Sequence, residues 1–328
     1  MMRVFVTGAT GFIGFPLVKE LIAAGHHVLG LARSEASGQK LIEAGAQVQV
    51  GTVDDQDGLR RGASAADGAI HTAFYHQLAH VPLGTRLRIF LGGAPGGVVP
   101  RFMAAAAATD RRAIDSIASS LPKGSPLVAT FGTLGMKPGR LATEDESYDR
   151  EPRSFGGVRA RNEDTLKEWA ARGLRTSAIR LPPIVHGPTA YGLASLLIPI
   201  AHKKKESAYI GDGMNRWPSS HHLDAAHLFR LALEKGPAGG TYHAVDEEGI
   251  PFREIAEVIG RRLDVPVVSK PPEEAKKHFG FIAPAVPLDN PTSSKLTRER
   301  LGWNPTQMRL LADLEQTDFF SRLRAGAR

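Results

Sequence analysis

The sequence predicts an α/β fold, a doubly wound parallel sheet with a small C-terminal α/β region. Two observations carry the expectation. Short apolar runs alternate with helix-like stretches through the first half of the chain, and a glycine-spaced turn follows the first of those runs. A third observation, the loss of that rhythm after residue 181, sets the organisation. Residues 1–180 read as a sheet domain and 181–328 mainly as a second region with segments returning to the sheet.

The first strand is expected at about 3–7, where Val4, Phe5 and Val6 form an apolar run. A helix follows at about 12–25 and stops at Gly25, a C-cap residue free to take positive φ. The second strand spans 27–33, a helix runs over 36–44 before Gly45, and the third strand covers 47–50. A helix through Asp57–Arg61 leads to a fourth strand at 69–73. Residues 75–103 are rich in Gly and Pro and show no clean period, which predicts a long loop, either a lid or an insertion. A helix resumes at Arg101, and strands five and six are placed at 127–130 and 176–180. Beyond 181 come loops, prolines, short helices and a strand near 240–245. A helix is expected over 252–263, where apolar residues stand at 252, 255, 258, 259 and 263.

Composition narrows the class. The 328 residues are 42% hydrophobic, enough for a sizeable core, and contain no apolar run of membrane-spanning length. Cysteine is absent and the chain enters a strand without a basic, apolar leader, so a cytoplasmic protein without disulfides is expected. The net charge of +7 fits scattered surface arginines better than a nucleic-acid or membrane surface. A small-molecule substrate is expected, with no specific nucleic acid and no membrane. His76 and His80 are four apart with His71 nearby, but no His-Glu-x-x-His arrangement accompanies them, and no metal is expected.

The turn reads Thr7-Gly8-Ala9-Thr10-Gly11-Phe12-Ile13-Gly14. Gly8 suits the tight turn, Gly11 lets a pyrophosphate approach the backbone, and Gly14 lets the next helix pack close to the strand. The N-terminus of that helix offers N–H groups and partial positive charge to an anion. A dinucleotide cradle made by Gly8, Thr10, Gly11, Phe12, Ile13 and Gly14 is therefore expected. The residue ending the second strand, about 20 positions past the glycines, selects between the nicotinamide cofactors. Here it is Arg33 followed by Ser34, and a guanidinium clamps a 2′-phosphate, so NADP(H) is favoured over NAD(H).

The Thr-Gly-x-x-Gly-x-x-Gly spacing resembles the extended short-chain dehydrogenase/reductases, the NAD-dependent epimerase/dehydratase-like superfamily, and later segments continue the likeness. They are Thr52-Val53 after strand three, His71-Thr72-Ala73 closing strand four, Leu181-Pro-Pro183-Ile184-Val-His186-Gly187, Gly211-Asp-Gly213 with His221-His222-Leu-Asp224, and Leu301-Gly-Trp-Asn-Pro305. The resemblance implies a Rossmann sheet, a nicotinamide cofactor touched by Thr52, Val53, Thr72, Ala73, Pro183 and Ile184, and a homodimer as an available assembly. It also implies a Tyr general acid with a Lys four residues later, beside a Ser or Thr. None of the five tyrosines is followed by Lys at that spacing. Gly157 falls where the Tyr belongs and Arg161 where the Lys belongs, which is an atypical arrangement. Thr133, Arg161 and His186 are then the expected catalytic residues, with Arg161 also on the cofactor ribose and Tyr148, Tyr191 and His221 as further proton donors. The expected function is an NADP(H)-dependent oxidoreductase acting on a small carbonyl, alcohol or conjugated compound. A non-catalytic NADP(H)-binding regulator, or an epimerase/dehydratase with retained cofactor, is the alternative.

Overall fold

The computed structural model describes residues 1–75, 78–92, 97–151 and 157–321. The chain opens with β1 (Arg3–Thr7), α1 (Gly14–Ala23), β2 (His27–Ala32), α2 (Glu35–Glu43), β3 (Gln47–Val50), α3 (Gln56–Ser64) and β4 (Gly68–His71). Val4, Phe5 and Val6 are wholly buried, as a strand covered on both faces requires. α1 buries Leu17, Val18 and Leu21 on one stripe and ends at Gly25, which sits at φ +83°. Next come α4 (Leu83–Leu91), α5 (Val98–Ala118), β5 (Pro126–Gly132), α6 (Gly157–Ala171) and β6 (Arg175–Leu181).

The 75–103 segment departs from the expected loop. Its described part holds a short 3₁₀ turn at Leu78–His80 and the helix α4, and α5 begins at Val98. In α4 only Ile89 is buried, whereas Leu83, Leu87, Phe90 and Leu91 are exposed. A helix whose large apolar residues mostly face outward carries no burial stripe, so periodicity missed it. A cluster of Tyr75, Val81, Ile89 and Ala106, flanked by Val53 and Phe74, anchors the segment.

The remaining elements are β7 (Ile184–Gly187), β8 (Ala190–Tyr191), α7 (Ala194–Lys204), β9 (Ser207–Ile210), β10 (Arg216–His221), α8 (His222–Lys235), β11 (Gly240–His243), β12 (Glu247–Pro251), α9 (Phe252–Leu263), β13 (Val267–Lys270), α10 (Ala275–Phe279), α11 (Lys295–Leu301) and α12 (Leu310–Gln316). The apolar stripe at 252–263 forms α9, with Phe252, Ile255, Val258, Ile259 and Leu263 buried.

A seven-stranded sheet runs β11-β6-β5-β4-β1-β2-β3, with β1–β2, β2–β3, β1–β4 and β4–β5 parallel. The strand order reverses between β1 and β4, and ligands of such sheets bind outside the carboxyl ends of the strands at that point. The chain divides into two compact units. The first, with most of this sheet, comprises 1–131, 148–179 and 226–241; the second comprises 132–147, 180–225 and 242–328. The second holds a four-stranded sheet, β12-β10-β7-β8, and the pair β13-β9. Its core gathers Ile184, Tyr191, Trp217, Phe252 and Phe279, with the Trp217 and Phe252 rings edge to face at 4.9 Å.

Candidate functional site

In the first unit, the turn after β1 is closed by the Gly11 N–H, which donates to the Gly8 carbonyl at 2.8 Å. Gly8 sits at φ +70°, and a Cβ there would lie 2.6 Å from Thr72 Oγ1 and 2.8 Å from the Ala73 nitrogen. At Gly14 a Cβ would stand 2.0 Å from the Gly8 carbonyl oxygen, so α1 rests directly on the turn. Gly11 is exposed, and a Cβ on it would meet only that same oxygen, at 3.0 Å. Thr10, Phe12 and Ile13 are half-buried around it. α1 has no side-chain cap and no acidic residue in its first turn, which leaves the positive end of its dipole unopposed. Thr72 fixes the neighbouring segment by donating its hydroxyl to the Thr7 carbonyl at 2.8 Å. Lys40, from α2, donates to the Thr10 carbonyl at 2.6 Å and adds a cation beside the turn. Sequence reasoning missed Lys40 because only the fold brings it there. An approachable backbone at Gly11, an unopposed helix end and a nearby lysine fit the diphosphate of a dinucleotide.

Arg33 follows β2, is exposed, and makes no ion pair with a described residue. Ser34 is the N-cap of α2: its hydroxyl accepts from the Ser37 N–H at 3.2 Å, and its own N–H donates to Ser37 Oγ at 3.1 Å. That hydroxyl is therefore engaged by the helix. Thr52 is exposed and accepts from the Asp54 N–H at 3.3 Å, while Val53 packs against the Tyr75 cluster. The Tyr75 hydroxyl donates to Asp54, and burial together with that carboxylate pushes the phenol up; the charges of Arg33 and Arg112 pull the other way.

Of the three expected catalytic residues, Thr133 and His186 belong to the second unit and Arg161 to the first. Thr133 is wholly buried; it donates to Asn290 Oδ1 at 3.0 Å, and Asn290 Nδ2 returns a bond to the Thr133 carbonyl at 3.0 Å. Arg161 is exposed on α6. His76 lies outside the described residues.

Arg159, missed in the sequence, is the α6 cation that turns inward, since two residues rotate a helix by about 200°. Its Nη2 donates to the Thr130 carbonyl at 2.6 Å, at the carboxyl end of β5, and lies 3.4 Å from Asp110 Oδ2. The guanidinium carbon sits 4.1 Å from the centre of the Phe74 ring and 5.3 Å from that of Phe131. Asp110 is buried and also meets His71 Nε2 at 3.1 Å and Asn162 Nδ2 at 2.7 Å. Burial alone would raise its carboxyl; Arg159, His71 and Asn162 outweigh that and hold it below its ordinary value. His71 Nδ1 meets Thr7 Oγ1 at 2.7 Å, so the network runs back to the residue before the glycine turn.

In the second unit, Pro183 is buried and Ile184 belongs to the apolar core, so the Ile184 side chain faces other core residues. His186 is 1% exposed, with Nδ1 2.7 Å from Asp313 Oδ2. The Tyr191 hydroxyl donates to Asp313 Oδ1 at 3.3 Å, and burial first, with Asp313, pushes its pKa up to about 12. The His221 ring meets His186 edge-on at 5.3 Å. Burial, then the charges of His222 and His186, lower the His221 pKa to about 4. Among the described residues no group of His, Cys, Asp and Glu could hold a metal ion, and no helix is long and apolar enough to cross a membrane.

Residues 4–82 match the model of the "NAD dependent epimerase/dehydratase family". The chain is 44% identical over 97% of its length to "Uncharacterized protein C2A9.02" of Schizosaccharomyces pombe, covering 100% of that protein. It is 39% identical over 95% of its length to "Uncharacterized protein YLL056C" of Saccharomyces cerevisiae, covering 98% of it. The fold matches the crystal structure of DesIV, a dTDP-glucose 4,6-dehydratase of Streptomyces venezuelae, with TM-score 0.71 at 20% identity, over 99% of this chain and 98% of that one.

Proposed function

Because the chain belongs to the NAD-dependent epimerase/dehydratase family, within the extended short-chain dehydrogenase/reductase superfamily, we propose that it is an NADP(H)-dependent oxidoreductase acting on a small organic carbonyl, alcohol or conjugated compound. The observation that carries the cofactor choice is Arg33. It is exposed at the end of β2 without an ionic partner among the described residues, where a carboxylate would select NAD. Gly8–Gly14 would hold the diphosphate and Arg33 the 2′-phosphate, with Lys40 adding charge. When bound, the nicotinamide supplies or accepts the hydride.

Calorimetric titration with NADPH, NADP⁺, NADH and NAD⁺ tests the reading, with the wild type beside Arg33→Ala. A charge-assisted bond to a phosphate is worth about 1.5–3 kcal/mol, so Arg33→Ala should weaken NADPH binding about tenfold or more. NADH binding should stay within twofold. Tighter binding of NADH than NADPH by the wild type refutes the assignment. A second reading, a non-catalytic NADP(H)-binding regulator, draws support from Thr133, whose hydroxyl is closed off by Asn290. NADPH binding without consumption across a carbonyl panel would favour that regulator.

A further inference from the structure

The Arg159 environment is more specific than a structural ion pair needs. Nη2 serves the Thr130 carbonyl and Asp110, but Nε is buried without a hydrogen-bond partner. A buried donor left unsatisfied is unfavourable, and a ligand oxygen would satisfy it. The side chain keeps 18% of its surface exposed but Nε lies beneath it, so an oxygen reaches Nε only by parting the side chains that cover it. It stands at the carboxyl end of β5 and against Phe74, just past β4, beside the strand-order reversal where such sheets bind ligands.

Charge decides what kind of oxygen fits. Arg159 is already neutralised by Asp110, so the pair presents a directed N–H and not a free positive charge. Phe74 and Phe131 supply an apolar wall that disfavours a fully charged anion. A guanidinium gives up no proton at neutral pH, so its role is to hold an oxygen and polarise it. Conjugation puts extra electron density on a carbonyl oxygen and makes it a stronger acceptor.

We propose that Arg159 is the substrate-binding residue of this site and that its Nε–H takes the oxygen of a neutral, apolar, conjugated carbonyl compound. The assignment rests on the oxidoreductase reading for its use but is a binding claim in its own right.

The test is saturation-transfer NMR and competition binding with benzylideneacetone, run with and without saturating NADP⁺, on the wild type, Arg159→Met and Arg159→Lys. Thermal unfolding checks each variant, and the Lys variant keeps the charge opposite Asp110 should the Met variant fail to fold. The wild type should bind the ketone, and both folded variants should lose at least tenfold in ketone affinity with NADP⁺ affinity within threefold. Unchanged ketone binding in a folded Arg159→Lys or Arg159→Met overturns the proposal. So does tighter binding of the cinnamate anion than of benzylideneacetone, or binding of UDP-glucose with none of the ketone. A wild type that binds ketone through Arg159 but no nucleotide refutes the cofactor reading and supports this one.

Discussion

The closest approach in the glycine turn gives a quantitative prediction for two alanine variants. At Gly14 an added Cβ would lie 2.0 Å from the Gly8 carbonyl oxygen, and ordinary contact begins at 3.4 Å. α1 would have to retreat by about 1.4 Å, the difference, or the turn would have to open. Overpacking of this kind costs about 1–3 kcal/mol. At Gly11 the added carbon would meet the same oxygen at 3.0 Å from an exposed position, so a shift of a few tenths of an ångström suffices. The stability change there should stay within about 0.5 kcal/mol. Both methyl groups intrude on the expected diphosphate cradle, so both variants should lose NADPH affinity by tenfold or more. Urea unfolding followed by circular dichroism reads stability, and calorimetry reads binding. The signature is a separation: Gly14→Ala loses stability and binding, Gly11→Ala loses binding alone. Equal stability losses at the two positions would refute the packing argument, and full NADPH binding by Gly11→Ala would refute the cradle.

Three further outcomes follow from other parts of the molecule. Burial, then Arg180, lowers the His243 pKa from 6.5 to about 3, and the Arg180 guanidinium donates to its Nε2 at 3.2 Å, so the ring must stay neutral. The unfolded state takes up that proton below about 6.5. Stability is therefore full above that pH and falls by up to about 1.4 kcal/mol per unit on acidification toward about 3, with His221 adding a loss down to about 4. Urea midpoints at pH 7, 5.5 and 4.5 should fall in turn, and an equally steep fall in His243→Gln would contradict the assignment. Asp224 accepts the Thr306 and Gln307 N–H groups at 3.0 and 3.1 Å, so Asp224→Ala strands two donors. It should cost about 2–4 kcal/mol, and a loss under 1 kcal/mol would show that water replaces the carboxylate. Leu87→Glu with Phe90→Glu, on the outer face of α4, should leave stability within about 0.5 kcal/mol while reducing binding of an apolar fluorescent dye. A large loss of stability would mean that this face is covered.

Much of the first unit could be read from the chain because its signals are local. The Val4–Val6 run, the three glycines and the cap at Gly25 each act within a few residues. The α9 stripe was legible for the same reason. α4 was not, because its single buried residue leaves no stripe to detect. α8 was missed as well, and β10, with Ser219, Ser220 and His221 buried, lacks the apolar alternation that marks a strand. At the site, the family resemblance suggested Arg161, yet the start and rotation of α6 decide which arginine turns inward, and that one is Arg159. Lys40 and the Asp110 network join residues 30 to 52 positions apart, beyond the reach of any local pattern. Thr133 looked like a free hydroxyl until Asn290, 157 residues away, proved to hold it.

The division of the chain into alternating segments bears on synthesis at the ribosome. The sheet unit includes residues 1–131 but also needs 226–241, which contribute most of α8 and the start of β11. Those last pieces emerge roughly 110 residues after the first segment ends, a delay of about 5–22 s at 5–20 residues per second. From the completion of β6 at Leu181 until β11 emerges about 60 residues later, β6 presents on that side an unpaired edge with Ala178 and Ile179 at its centre. The nascent chain therefore passes through a stage in which it is prone to edge-to-edge association. A fragment ending near residue 180 would keep that edge unpaired permanently.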